Sequence, residues 1–271
     1  MAFDLAAYLD RIGFSTAVRP DLETLTAVHR AHLSAIPYEN LDIHLGRKLR
    51  LGADHGFDKL VTRHRGGWCY EMNELLITAL AAIGFKVYRA GAGVHRELRG
   101  DVVLGNHLIG IVDLGERYIV DVGFGDGPLD PMPLREGKYR HGAFEIGLAR
   151  AGGAWWRFLG HDRCAAKSFD FTEDPRELDW FAAKCAELQT SPESGFVKTA
   201  VIQRRLPDRI LVLRDVTFTV HTESATDKST IGSSNEFDRV LRDAFDLRLG
   251  DDAARLWRTI EARASSTAAS A

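Results

Sequence analysis

Arg65-Gly66-Gly67-Trp68-Cys69-Tyr70-Glu71-Met72-Asn73 sets a thiol between a glycine pair and a helical run. From Tyr70 to Ala82 the apolar residues Met72, Leu75, Leu76, Ala79 and Leu80, continued by Ile83, recur at helical spacing. The glycines suit a tight turn, because glycine takes positive φ at no steric cost. Cys69 is therefore expected at a helix N-terminus, where free N–H groups and the helix dipole favour the thiolate and lower its pKa. The alternative is a buried cysteine that packs as a small hydrophobe.

Upstream, residues 4–12 and 21–35 show helical spacing with Asp4 and Asp21 as N-caps, and Pro37 stops the second helix at Ala35 or Ile36. His29 and His32 stand three apart on that helix without a third ligand, so they read as solvated or core-edge histidines and no metal is expected. A short helix is expected at Phe57 to Thr62. From Lys86 to Val94 the pattern alternates, and strands are expected at 107–113, 117–122, 143–149 and 154–159. Asp113-Leu114-Gly115-Glu116 reads as a hairpin turn. A helix at 176–188, strands at 197–204, 209–213 and 216–221, and helices at 235–245 and 251–263 follow. The small, polar stretch Ala264 to Ala271 reads as disordered.

The chain has 271 residues, 45% hydrophobic and 27% charged, with a formal net charge of −3. That composition suits a globular protein and offers no basic patch for nucleic acid. The three cysteines, Cys69, Cys164 and Cys185, are too far apart for a C-x-x-C metal site. With no signal-peptide pattern and no apolar run long enough to span a bilayer, a cytoplasmic location is expected and no membrane partner.

A nucleophilic cysteine wants a base, and the base wants a group to orient it. Asn106-His107-Leu108-Ile109-Gly110-Ile111-Val112 puts His107 at the start of an apolar strand. Tyr118-Ile119-Val120-Asp121-Val122-Gly123-Phe124-Gly125 puts Asp121 where an unpaired carboxylate would be costly to bury. The hairpin between them brings the two side by side. Gly123, Gly125 and Gly127 leave backbone N–H groups that could line a cleft or meet phosphate oxygens. They lead into prolines rather than a helix, so they are neither a dinucleotide fingerprint nor a P-loop.

These residues resemble the arylamine N-acetyltransferase family from about residue 3 to 250. The likeness is carried by Arg65 to Asn73, by Ile36-Pro37-Tyr38-Glu39-Asn40-Leu41, by the His107 strand, by Val120 to Gly125 and by Ser191-Pro192-Glu193-Ser194-Gly195-Phe196, in the family's order. The resemblance implies an α+β fold with an N-terminal helical bundle, a central antiparallel β-barrel and a C-terminal α/β lid around a cysteine-protease-like Cys-His-Asp core. Its divisions are expected at 1–85 (nucleophile), 86–175 (His and Asp), 176–196 (connecting helix) and 197–271 (lid). It implies Cys69, His107 and Asp121 as catalytic residues, and acetyl-CoA as the acetyl donor. The acceptors are small aromatic amines or hydrazines, held by Tyr38, Val94, Phe124 and Phe196. Coenzyme contacts fall to Asn106, Gly123, Gly125 and Gly127. The chain departs from the family pattern at Asn106, where a hydroxyl residue is frequent, at Asp126, which interrupts adjacent glycines, and at Tyr38, where Phe is frequent.

The expected reaction is a ping-pong transfer through acetyl-Cys69. The same triad also serves thiol hydrolases and transglutaminase-like enzymes, and an amide synthase would use it on another acyl donor. A silent binding module remains the non-enzyme alternative.

Overall fold

The computed structural model describes residues 3–269, the side chains of residues 265–269 excepted. Asp4 and Asp21 cap α1 (Leu5–Arg11) and α2 (Leu22–Ala35) by accepting the N–H groups of Ala7 at 3.0 Å and Thr24 at 2.9 Å. Helix α2 stops at Ala35 because Ile36, ahead of Pro37, is extended. A two-residue strand β1 (Tyr38–Glu39), the single turn α3 (Leu41–His44), and α4 (Ala53–Phe57) follow. Helix α4 runs on into a wider turn over Asp58–Thr62, so this helix begins earlier than the sequence indicates.

Helix α5 (Cys69–Ile83) is the centre of the helical layer. Residues 69 to 77 are all buried, polar ones included, so this helix is enclosed on every side rather than amphipathic. Gly84 ends it in the left-handed conformation, φ 107°. The glycine pair ahead of Cys69 has a different reason from the one the sequence suggests. Neither residue takes positive φ. A Cβ on Gly66 would lie 2.2 Å from the Pro37 carbonyl oxygen, and Gly67 pairs alongside Tyr38. For Gly66 the requirement is close backbone approach, which presses the lead-in to Cys69 against β1; a Cβ on Gly67 would meet Glu71 and Leu60 at 3.0 Å.

The eight strands β2 (Lys86–Val94), β3 (His107–Asp113), β4 (Arg117–Val120), β5 (Met132–Pro133), β6 (Gly137–His141), β7 (Phe144–Arg150), β8 (Trp156–Leu159) and β9 (Ser168–Pro175) form one antiparallel sheet. Its order is β5-β4-β3-β2-β9-β8-β7-β6, and it curls into a nearly closed barrel. Strand β3 is buried on both faces: Ile109 and Ile111 enter the barrel core, while Leu108 and Val112 pack on the helical core around α5. One strand thus joins two cores. The ladder between β3 and β4 ends at Gly110↔Val120, so Asp121 lies outside the strand that the sequence suggests. Strands β6 and β9 have no counterpart among the expected strands; β9 carries Asp170, fully buried but paired with Arg96 and Arg157.

After a short 3-10 turn come α6 (Ala182–Thr190) and α7 (Gly195–Lys198). The expected strand at 197–204 starts only at Val201, because Ser194 caps the α7 turn. Strands β10 (Val201–Arg205), β11 (Arg209–Arg214), β12 (Thr217–Thr222) and β13 (Thr226–Thr230) make a second antiparallel sheet. Helices α8 (Ser234–Phe245) and α9 (Asp251–Ala269) close the chain. Helix α9 continues through most of the stretch expected to be disordered; Ser270 and Ala271 lie outside the described residues. The second sheet is completed by β1, with Tyr38 opposite Gln203 and Glu39 opposite Ile202. The N-terminal segment therefore supplies a strand to the C-terminal sheet, and Asn40 ties the two by bonds to Phe196 O, Thr199 O and Val201 N–H.

Candidate active site

Three elements meet at Cys69. The cysteine opens α5, His107 opens β3 and Asp121 follows the last residue of β4, all three buried. His107 Nε2 lies 2.8 Å from Asp121 Oδ2. A carboxylate only accepts, so Nε2 carries a hydrogen in this contact. Asp121 Oδ1 accepts from Asn73 Nδ2 at 2.8 Å and from the Gly123 N–H at 2.9 Å. Asn73 also donates to Leu108 O at 2.6 Å and accepts the Val122 N–H at 2.8 Å. Lying one turn after Cys69 on the same face of α5, it fastens α5 to β3 and to the segment that follows β4. Its position in the helix is the signal that could have singled it out.

Gly123 is glycine because α5 passes against it: a Cβ there would lie 2.6 Å from Cys69 Cα. The electrostatics of the thiol correct a sequence expectation. Burial pushes Cys69 above its ordinary pKa, the Asp121 carboxylate adds to the push, and the N–H groups of Leu108 and Tyr70 only partly oppose it. The helix start alone does not produce a thiolate here. A neighbouring base has to take the proton, and the thiolate has to form as an ion pair with it.

Cys69 and His107 line a cavity of about 370 Å³ between the barrel and the second sheet. The four expected acceptor residues, Tyr38, Val94, Phe124 and Phe196, all line it. Phe124 stacks edge-on to His107 at 5.3 Å between centroids, and Phe196 meets Trp68 at 5.5 Å. Of the expected coenzyme residues, Asn106 and Gly123 reach the cavity, although the Asn106 carboxamide oxygen already accepts the Val94 N–H at 2.8 Å. Gly125 and Gly127 do not line it. The space a side chain would take on them is filled by Gln203 and by Phe124, so these glycines pack the loop rather than bare it. The lining also includes Arg99, Arg214, Asp126 and Gln203, cations and polar groups that the sequence did not point to, Asp126 apart. Among the described residues there is no group of three or more potential metal ligands, and no helix is long and apolar enough to cross a membrane.

Asp126 is 3% exposed and accepts the Ala165 N–H at 2.7 Å. Burial pushes its carboxyl up to about 6, against the lowering by that N–H. A carboxyl raised on folding is protonated more readily in the native state, so it lowers stability as pH rises from about 4 to about 6. Asp126→Asn keeps an acceptor for Ala165 and removes the charge. It is expected to stabilise the fold by about 2–3 kcal/mol at pH 7 and by less than about 1 kcal/mol near pH 4. Urea unfolding at the two pH values checks this; an equal effect at both would show that charge is not the cause.

Comparison with known proteins agrees with this architecture. A family model described as N-acetyltransferase matches residues 21–254. The chain is 32% identical to the rhesus macaque protein named arylamine N-acetyltransferase 2, over 91% of this chain and 95% of that protein. Identity is also 32% to human arylamine N-acetyltransferase 1, covering 91% and 94%. Among solved structures, the Mycobacterium smegmatis arylamine N-acetyltransferase superposes with a TM-score of 0.86 at 33% identity, covering 96% of this chain and 99% of that one. The Mycobacterium marinum enzyme, solved in complex with CoA, superposes with the same score at 29% identity, covering 95% and 98%. A match that spans both the helix opened by Cys69 and the barrel that carries His107 leaves one conclusion: the chain belongs to the arylamine N-acetyltransferase family.

Proposed function

We propose that the chain transfers the acetyl group of acetyl-coenzyme A to the nitrogen of an arylamine or arylhydrazine by a ping-pong route through acetyl-Cys69. The observation that carries this reading is His107, bound to Asp121 through Nε2 and lining one cavity with Cys69. His107 Nδ1 takes the thiol proton as sulfur attacks the acetyl carbonyl. The oxyanion is met by N–H groups at the start of α5, where Cys69 and Tyr70 lie ahead of the intrahelical ladder. The C–S bond to the coenzyme breaks, and its sulfur takes the proton from Nδ1. In the second half the amine nitrogen attacks acetyl-Cys69, gives a proton to Nδ1, and leaves as the amide while that proton returns to the cysteine sulfur.

Tyr38, Val94, Phe124 and Phe196 hold the acceptor's ring, which is uncharged at neutral pH and enters an aromatic cleft without desolvating a cation. Asn106 and Gly123 meet the coenzyme arm. Segment 1–85 carries the nucleophile and 86–175 its base and acid; 176–196 connects, and 197–271 covers the cleft. Three unpaired, buried cysteines support placing the protein in the reducing cytoplasm.

Intact-mass measurement after mixing with acetyl-coenzyme A tests the reading. Wild type should gain one acetyl group and Cys69→Ala none, and an arylamine should discharge the adduct faster than water does. An adduct on the variant sinks the proposal, and discharge indifferent to the amine assigns the chain to the hydrolases.

A further inference from the structure

The loop from Asp121 to Asp130 leaves the barrel ladder, yet it carries the carboxylate that holds His107, the Phe124 ring and Asp126. Both ends of the loop are held by a single side chain from another layer. His29, on α2 and fully buried, places Nδ1 2.9 Å from Leu129 O and Nε2 3.2 Å from the Asp121 nitrogen. The partners fix the state of the ring. A carbonyl only accepts, so Nδ1 carries the hydrogen; a backbone N–H only donates, so Nε2 offers its lone pair. The imidazole is therefore neutral, and its burial opposes protonation. The surroundings reinforce the grip: next along α2, Arg30 pairs with Asp130 at 2.9 Å, and His141 Nδ1 accepts the N–H groups of Leu129 and Asp130 at 3.1 Å each.

We infer that His29 is a positioning residue for acyl transfer, setting the backbone at Asp121 so that its carboxylate stays against His107 Nε2. This rests on the proposed triad. Asp121 lies just past the last ladder pair, so its N–H has no strand partner, and His29 supplies one. A buried N–H without that acceptor would turn to find another and take the carboxylate with it. Asp121 is thus fixed at two points, its backbone by α2 and its Oδ1 by Asn73 on α5. An imidazolium on His107 is stabilised only as well as that carboxylate is aimed, so His29 bears on how readily Cys69 gives up its proton.

Two variants divide the brace. The carboxamide introduced by His29→Asn reaches the Nδ1 position and keeps the bond to Leu129, whereas His29→Gln places an oxygen near the Nε2 position and keeps the bond to Asp121. Alkylation of Cys69 by iodoacetamide, followed from pH 5 to 9, is the main readout, with thermal unfolding and the acceptor KM measured alongside. His29→Asn should slow alkylation at pH 7 about tenfold and raise its pH midpoint by about one unit, with KM unchanged. His29→Gln should stay within about threefold of wild type. Equal impairment of the two variants, or a loss of melting temperature with an unmoved pH profile, overturns the positioning role. Ring-nitrogen NMR of wild type needs no variant: the Nδ1–H tautomer is expected from pH 6 to 8, and an Nε2–H tautomer or an imidazolium overturns the inference. If wild type shows no preference for Cys69 over Cys164 and Cys185, the acyl-transfer reading fails and this one with it. If it does show the preference and His29→Asn is unaffected, only the role of His29 fails.

Discussion

Asp121→Asn is expected to lower kcat/KM for acetyl transfer by about 10³–10⁴-fold while leaving the fold intact. The size of the loss follows from the hydrogen bonds around the carboxylate. Two donors, Asn73 Nδ2 and the Gly123 N–H, point at Oδ1, so an asparagine must turn its own oxygen toward them. Its NH₂ group then faces His107 Nε2, which can answer only by becoming an acceptor. The imidazole hydrogen moves to Nδ1, and the lone pair that should take the thiol proton is gone. Single-turnover acetylation read by intact mass, with steady-state kinetics, measures the loss. A decrease of less than tenfold would mean that Asp121 does not set the tautomer.

Lys59→Met is expected to destabilise the protein by about 3–5 kcal/mol, a fall of about 10 °C in melting temperature. Lys59 Nζ sits 2.9 Å from Glu71, 3.2 Å from Asp42 and 3.7 Å from Glu39, with all four side chains buried; Arg65 shares Glu39 and Asp42. Burial works against the ammonium, but Glu39, Glu71 and Asp42 outweigh it and raise the lysine pKa. Removing the cation takes Glu71's ammonium away and leaves Glu39 to Arg65 and Asp42 to Arg65 and the half-exposed Arg47. Burial already raises Glu71, so the native state of the variant should take up a proton as pH falls. Its deficit should therefore shrink between pH 7 and pH 5. Glu71 Oε2 also accepts the Trp68 N–H at the start of α5, a bond that a glutamine oxygen can keep. Glu71→Gln added to Lys59→Met should thus recover part of the stability. Urea titration of both variants decides, and a loss below about 1 kcal/mol would show that the cluster is solvated.

The readable parts of the chain were those whose signals are local. Asp4 and Asp21 cap helices because a short carboxylate meets free N–H groups within one turn. The apolar rhythm after Cys69 marks α5, and the Asp113–Glu116 turn sets His107 beside Asp121. The family motifs added the barrel and the lid, which periodicity did not reach. The misreadings share one cause. Gly66 looked like a turn residue, but what it answers to is Pro37, nearly thirty positions away, while Gly67 makes room for Glu71 and Leu60. The Cys69 thiol looked acidic from its helix position, yet the packing around it reverses the direction.

By itself the sequence pointed to the candidate participants: a thiol at a helix start, with a histidine and an acid across one hairpin. The helix start and the hairpin pair depend on residue type and local spacing, which the backbone's own geometry converts into neighbours; the aromatic residues for a ring came only from the family resemblance. Only the tertiary structure decided how those participants are held. His29 grips Asp121 across 92 positions and Leu129 across 100, Asn73 binds β3 and the segment after β4 at once, and β1 completes a sheet whose other strands begin after residue 200. Buried polar groups must find partners wherever the folded chain brings them, and that pairing is a property of three-dimensional proximity with no periodic mark in the sequence.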